Sequence, residues 1–208
     1  MRLLDEPAGG DAVVIDKRYP LKSRLSQLGG FDDAPFSTAS TEPVLVVGAV
    51  FAGGRLDGVM SAPVGRDGDD ATEVLISLLE RSRFLPQLQA VLLQGIAFGG
   101  FNVVDLPLLS ESLRLPVLAV ARRAPNMAAI EAALRQRVPM GAQKWERIRR
   151  AGPMEAMAGV WVQRAGIDAV GAAALIRHSA CNGRLPEPLR TAHLIAGGVG
   201  CGESRHRA

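Results

Sequence analysis

The chain has 208 residues, 48% hydrophobic and 22% charged, close to an ordinary globular domain and too long for a miniprotein stapled by disulfides or a structural metal. No apolar run approaches the roughly 18 residues of a membrane span, and Asp5 and Glu6 stand where a secretory leader needs a basic flank and an apolar core, so a cytoplasmic protein without membrane contact is expected. The net charge of +3 hides an asymmetry: residues 1–113 hold 9 Lys and Arg against 15 Asp and Glu, and residues 114–208 hold 15 against 6, so a half suited to divalent cations precedes one suited to polyanions.

Residues 1–22, with Pro7, Gly9, Gly10 and Pro20, read as a loosely held lead-in with one short strand at Ala12–Ile15, and residues 23–208 as one domain. A strand over Arg24–Phe31 ends in the acidic pair Asp32-Asp33. The apolar, β-branched run Val44–Phe51 predicts a strand buried on both faces, and Gly53-Gly54 turns it into a second strand at Leu56–Val64. Asp70 and Glu73 have capping-box spacing and open a helix to about Ser82. A short strand at Ala90–Leu93 runs into the glycine-rich loop Gly95–Gly100, a helix covers Leu106–Leu113, and Leu115–Ala121 is again a buried strand. Helices follow over Met127–Arg137, Ala142–Arg150 and Asp168–His178, with Val160–Arg164 ambiguous, and Pro186 and Pro188 open a last helix to about Gly197. Strand, hairpin, helix, strand, helix, strand is the order of the ribonuclease H-like fold: a mixed α/β sheet, antiparallel over its first three strands and parallel after them, with helices on both faces.

Chemistry is suggested by acids at element ends. Asp32 and Asp33 close the first strand, Asp67, Asp69 and Asp70 lie between the third strand and the first helix, Gln94 ends the fourth strand, and Asp105 follows its loop. Such positions meet on one rim of an open α/β sheet, so Asp32, Asp70 and Gln94 are expected to converge. Oxygen ligands gathered in this way suit Mg²⁺ or Mn²⁺, which can activate water for phosphodiester cleavage. Plainer roles compete: Asp70 as a helix cap, Asp67-Gly68 as a turn, and Asp33 before Ala34-Pro35 as another.

Other patterns carry less. The Gly95–Gly100 loop matches neither the Rossmann nor the Walker fingerprint, and Gly99 and Gly100 permit positive φ or the close approach of a nucleic-acid strand. His178, Cys181, His193 and Cys201 have no familiar zinc spacing, so both cysteines read as free thiols. On the last helix Glu187, Arg190 and His193 fall on adjacent turns, as a polar contact or as functional groups. Arg122-Arg123, Arg147, Arg149-Arg150 and Arg205–Arg207 are solvated faces that could together follow a phosphate backbone.

Several stretches, in order and at these distances, resemble the endonuclease dU family, which is related to endonuclease V: GGFDDAPF at 29–36, VGAVFAGGRLDGV at 47–59, DGDDAT at 67–72, LLQGIAFGGFNVVD at 92–105, LPVLAVARRAPN at 115–126, PEPLRTAHLIAGG at 186–198 and GESR at 202–205. The resemblance implies a ribonuclease H-like fold and Mg²⁺- or Mn²⁺-dependent cleavage of DNA near deaminated bases, deoxyuridine among them. It makes Asp32, Asp67 and Asp70 the catalytic acids, with Asp32, Asp70 and Gln94 around the metal. Gly99, Gly100 and Asn102 would line the approach of the strand, and Arg190 and His193 would lie near phosphate or metal. The family pattern has Asp where this chain has Gln94, in LDG against Leu93-Gln94-Gly95. That substitution leaves a second reading open, a non-catalytic nucleic-acid-binding protein of the same fold.

Overall fold

Side-chain alternation along the first strand, β1 (Gln27–Asp33), sets the two faces of the sheet. Leu28 packs toward one face and Phe31 toward the other, each in a separate apolar cluster. The computed structural model describes residues 27–37 and 39–204, so the strand expected at Ala12–Ile15 and the basic run Arg205–Arg207 lie outside the described residues.

Strands β2 (Val44–Ala52) and β3 (Arg55–Val64) form the predicted hairpin around Gly53-Gly54, and β2 pairs antiparallel with β1. Strand β4 (Ala90–Gln94) then lies parallel to β1, and β7 (Val117–Ala121) parallel to β4. Between them the glycine-rich loop folds into a small hairpin, β5 (Ala97–Phe98) and β6 (Asn102–Val103), turning at Gly99-Gly100. Strands β4 and β7 are thus the parallel strands expected after the antiparallel three. The ambiguous segment is strand β9 (Val160–Ala165), antiparallel to β7, and it forms an edge hairpin with β8 (Glu155–Met157). Ala158 and Gly159, at φ 49 and 83, make the tight turn that pairs Met157 with Val160. A two-residue turn with both residues at positive φ matches the twist of an antiparallel pair and so fits the β8–β9 hairpin. The sheet order is β3-β2-β1-β4-β7-β9-β8.

Helices α1 (Ala71–Glu80) and α2 (Leu106–Leu113) cover the face that receives Phe31, Val91, Leu93, Val117 and Ala119. Helices α5 (Ala169–Ser179) and α6 (Glu187–Cys201) cover the other, meeting Leu28, Ala90, Leu92, Leu118 and Val120. Strand β4 is apolar without alternation because it is buried on both faces, and each such Val or Leu contributes roughly 1.5–3 kcal/mol of transfer free energy. Helices α3 (Met127–Arg137) and α4 (Gly141–Arg150) pack on each other, and α4 also rests on β6. Among the described residues no helix is long and apolar enough to cross a membrane.

Helix ends follow the local sequence with one correction. Asp168 and Asn126 cap α5 and α3 through their side chains, and Gly202 ends α6 in the left-handed region, five residues past the expected Gly197. Asp70 stands at the N-cap of α1 but its side chain makes no cap bond. The Ala71 N–H donates instead to Oδ1 of Asn102, 3.0 Å away, so a residue from β6 caps α1 and the expected capping box does not form.

Candidate active site

One close approach builds the site. At Gly30 on β1 a Cβ would lie 2.4 Å from the Pro188 carbonyl carbon and 2.5 Å from the Leu189 nitrogen, so only glycine lets α6 rest on the strand. Pro188 fixes the first turn of α6, and His193 arrives over Asp32 with Nδ1 2.7 Å from Oδ2. Asp32 is buried, and its Oδ1 accepts the Asp33 N–H at 3.0 Å. Phe31 of β1 pairs with Leu93 of β4, so one step further along these parallel neighbours Gln94 stands beside Asp32. Its Nε2 is 3.4 Å from the same His193 Nδ1. The three residues wall an open cleft of about 490 Å³, with Asp33, Cys201 and Glu203 also on its lining.

Burial pushes the Asp32 carboxyl up to about 8, and the neighbouring Asp33 charge adds to the rise; the Asp33 N–H bond and the Arg122 charge oppose it. Asp33 is also raised, chiefly by burial, against the restraint of a 2.7 Å bond from the Gly99 N–H. The local bonding agrees with a protonated Asp32. With the single lone pair of Nδ1 as acceptor, His193 takes its hydrogen bond from the Asp32 hydroxyl at 2.7 Å, and Gln94 Nε2 at 3.4 Å makes only a weak contact with the same nitrogen. Meanwhile Oε1 of Gln94 is buried with no hydrogen-bond partner, and turning the amide over would leave its NH₂ in that position instead. A buried carbonyl oxygen without a donor thus lies next to a carboxyl that burial pushes toward its neutral form in spite of the Arg122 charge.

Among the described residues no group of three or more His, Cys, Asp and Glu is placed to hold a metal ion. The donors of the cleft nevertheless fit one hard cation. Mg²⁺ commonly takes only one or two protein oxygens and completes its shell with water and phosphate, and the Asp32 carboxylate and the orphaned Gln94 oxygen are two donors of the kind it would need.

The expected convergence of Asp32, Asp70 and Gln94 is met only by Asp32 and Gln94. Asp70 accepts from the Gly65 N–H at 3.0 Å and from Asn102 Nδ2 at 2.5 Å, and among the described residues no hydrogen bond joins it to Asp32. Asp67, at φ 48, accepts the Phe101 N–H at 2.8 Å and gives its own N–H to the Gly99 carbonyl at 2.8 Å. Neither acid lines the cleft. They shape the loop between β3 and α1, which the sequence could not show because outside a strand no alternation fixes where a side chain points.

The residues assigned to nucleic acid divide in the same way. Asn102 is fully buried, its side chain shared by Ala71, Gly65 and Asp70, so it holds loop and helix together and does not face a strand. A Cβ on Gly100 would sit 2.4 Å from Asp67 Oδ1, so the glycine is required there by Asp67; Gly99 is buried, and Gly100 is exposed at the hairpin tip. On α6, Arg190 forks onto both carboxylate oxygens of Glu187, one turn before His193. Arg147 pairs with Asp69 and Arg150 with Asp105, which narrows the basic face read from the sequence. Arg122, just past β7, acts electrostatically on Asp32, whereas the sequence places it among solvated arginines that could follow a phosphate backbone. Sequence reading also passed over Lys144, a fully buried lysine of α4 whose Nζ donates to the Asp67 carbonyl at 2.7 Å. Burial draws its pKa down while the charges of Asp69 and Asp67 hold it up. His178 and Cys181 flank a different pocket from His193 and Cys201, so the four do not meet, and both cysteines are free and exposed.

A seven-stranded mixed sheet, with an acid and an amide at the C-terminal ends of two adjacent parallel strands and an imidazole of α6 over them, is a ribonuclease H-like architecture. Endonuclease V of Ciona intestinalis, solved with a 24mer DNA containing an inosine followed by a ribo-adenosine, shares the fold at TM-score 0.54 and 15% identity, covering 82% of this chain and 84% of that one. The chain itself belongs to the endonuclease dU family, whose sequence profile matches residues 25–200. It is 50% identical over 192 residues to a UPF0215 protein of Deinococcus radiodurans, covering 92% of this chain and 96% of the relative. The crystal structure of an Archaeoglobus fulgidus protein of unknown function superposes at TM-score 0.80 with 33% identity, over 85% of this chain and 99% of that one.

Proposed function

We propose that this protein is a divalent-metal-dependent endonuclease that cuts DNA near deaminated bases, deoxyuridine among them, with Mg²⁺ or Mn²⁺ held by the Asp32 carboxylate and the Gln94 carbonyl oxygen. The observation that carries this reading is the buried, partnerless Oε1 of Gln94 beside an Asp32 that burial keeps protonated. A bound ion would supply a nucleophilic water and charge stabilisation for the leaving oxygen. Asp32 must ionise to hold it, and His193 Nδ1, 2.7 Å away, receives the proton. Arg122 places a positive charge at the same end of the sheet, where a phosphate would approach. The cleft is open, as a polymer requires, and Gly100 presents a bare backbone at the neighbouring hairpin tip. Inosine in the DNA bound by the Ciona endonuclease V makes hypoxanthine the second base to try.

The test is nicking of single- and double-stranded oligonucleotides containing uracil or hypoxanthine, with Mg²⁺ or Mn²⁺, beside an Asp32→Ala control. Cleavage by the parent and none by the variant supports the reading. The neutral Gln94 favours one rival, a non-catalytic nucleic-acid-binding protein. DNA binding without cleavage under either ion would establish that rival in place of the enzyme.

A further inference from the structure

Only three of the 24 cationic residues are lysines, Lys17, Lys22 and Lys144, and the one on α4 is 1% exposed. Burying an ammonium group is costly unless it is paired, and a chain that otherwise uses arginine has kept here the slender side chain that ends in a compact donor. What Lys144 holds is a backbone oxygen. Its Nζ donates to the Asp67 carbonyl at 2.7 Å; the Asp67 N–H donates to the Gly99 carbonyl at 2.8 Å; the Gly99 N–H donates to Asp33 Oδ2 at 2.7 Å; and the Asp33 N–H donates to Asp32 Oδ1 at 3.0 Å. Four hydrogen bonds thus run without a break from α4, through two loops, across the sheet to the acid of the cleft.

Every link is under constraint. Asp67 sits at φ 48, a left-handed conformation that needs support from outside the residue, and Gly99 at φ 54, which its lack of a Cβ permits. Phe101 donates to the Asp67 side chain, and Arg147, one turn after Lys144, grips Asp69, so α4 holds the loop at two points. Val103 and Ile148 pack in one cluster with Leu134, which ties α4 to the β5–β6 hairpin.

From this continuity we infer that Lys144 is a positioning residue: by fixing the Asp67 carbonyl it sets the Gly99 turn and the Asp33 side chain, and through them the orientation of Asp32 toward the metal. The inference rests on the reading of Asp32 as a metal ligand for its functional consequence, and on the hydrogen bonds alone for its structural part. Residues that orient ligands from behind typically change metal affinity by about 10–100-fold when removed.

The experiment uses Lys144→Met, which keeps the aliphatic stem and deletes the donor, and Asp33→Ala, which breaks the chain from its other end. Amide hydrogen exchange is followed in the metal-free protein, and Mg²⁺ affinity by calorimetry. In Lys144→Met, the Asp67 and Gly99 amides should exchange about tenfold faster while the Val91 amide of β4 keeps its protection, which global loosening would not allow. Each single variant should weaken Mg²⁺ binding about tenfold, and the double variant should be no weaker than Asp33→Ala, because both cut one chain. Unchanged exchange at Gly99, or losses that simply add, overturns the inference. Should Lys144→Met fail to fold, an Asp33→Ala protein with unaltered Mg²⁺ affinity overturns it equally. Failure of the parent to bind Mg²⁺ would instead sink the nuclease reading, and the exchange data would still decide the positioning role.

Discussion

Two acidic regions flank the same end of the sheet and have opposite character. Around Asp67 and Asp70 the carboxylates are met by donors: Gly65, Phe101 and Asn102 for hydrogen bonds, with Arg66 close to Asp67 and Arg147 on neighbouring Asp69. Around Asp32 the donors do not offset the burial: the Asp33 and Gly99 N–H groups and the Arg122 charge are present, yet the buried acid is forced toward its neutral form, with a second acid beside it and an amide oxygen that has no partner. Carboxylates with every partner in place build structure, whereas a cluster short of positive charge is strained until a cation arrives. The comparison teaches that aspartates spaced alike along a sequence are told apart by who donates to them.

The strongest way to break this contrast is Asp32→Asn. The cleavage proposed for the parent should fall by at least about a thousandfold, and Mg²⁺ should no longer raise the melting temperature. The metal-free variant should nevertheless be more stable than the parent at pH 8, because a neutral amide carries no buried charge. Next in size is the pH dependence of the parent. In the unfolded chain Asp32 ionises near its ordinary 3.8, while in the folded protein it keeps its proton up to about 8. The native state therefore binds more protons across that window, and stability is fully present at the acid end and lost as pH rises toward 8. Urea unfolding in EDTA should show a decline on the order of a few kcal/mol between about pH 5 and pH 8, much reduced in Asp32→Asn. A stability that rises over this range, or the same slope in both proteins, would show that Asp32 is not the strained group.

Asp70→Ala probes the other region and should give the opposite pattern. Removing it deprives the Gly65 N–H of its acceptor and Asn102 of one of two, at a cost of about 2 kcal/mol in unfolding free energy. Mg²⁺ affinity should move less than about threefold, since Asp70 lies outside the cleft. A collapse of Mg²⁺ binding with stability intact would return Asp70 to the metal site and erase the distinction between the regions.

The difference between these regions was only half legible in the sequence. Runs such as Val44–Ala52 and Val117–Ala121 announce buried strands through their composition, and the mixed topology followed from element order. Asp32 and Gln94 could be paired because both close central strands, but alternation puts Asp33 on the opposite face from Asp32, and no local signal marks that parity once a strand ends. Asn102 looked like a loop residue open to nucleic acid, yet it caps α1 across 31 positions, a contact beyond any window of local pattern. Lys144 sits in an amphipathic helix among arginines, where a buried cation resembles a solvated one until its acceptor is known. Val160–Arg164 stayed ambiguous because the Ala158-Gly159 turn that pairs it with β8 is a weaker hairpin signal than Asn-Gly.

Gln94→Asp gives the smallest expected change and the sharpest reading of the comparison, because it puts a third acid into the strained region. Without a cation the new carboxyl faces Asp32 and Asp33 in a buried setting, so the metal-free protein should lose stability, and more so at pH 8 than at pH 5 as the raised carboxyls ionise. With Mg²⁺ the sign should reverse. The added charge replaces a carbonyl dipole as ligand, and a gain of about 1.4 kcal/mol would appear as a tenfold tighter dissociation constant and, if the transition state gains equally, a tenfold faster nick. The fold should accept the change, since Asp is smaller than Gln and position 94 is half-buried at the open end of β4. Melting temperatures of both proteins with EDTA and with Mg²⁺ decide the matter: the two curves should cross. If Gln94→Asp is destabilised under both conditions, the orphaned Gln94 oxygen is not a ligand position, and the shortage of positive charge around Asp32 must be met by something other than a metal ion.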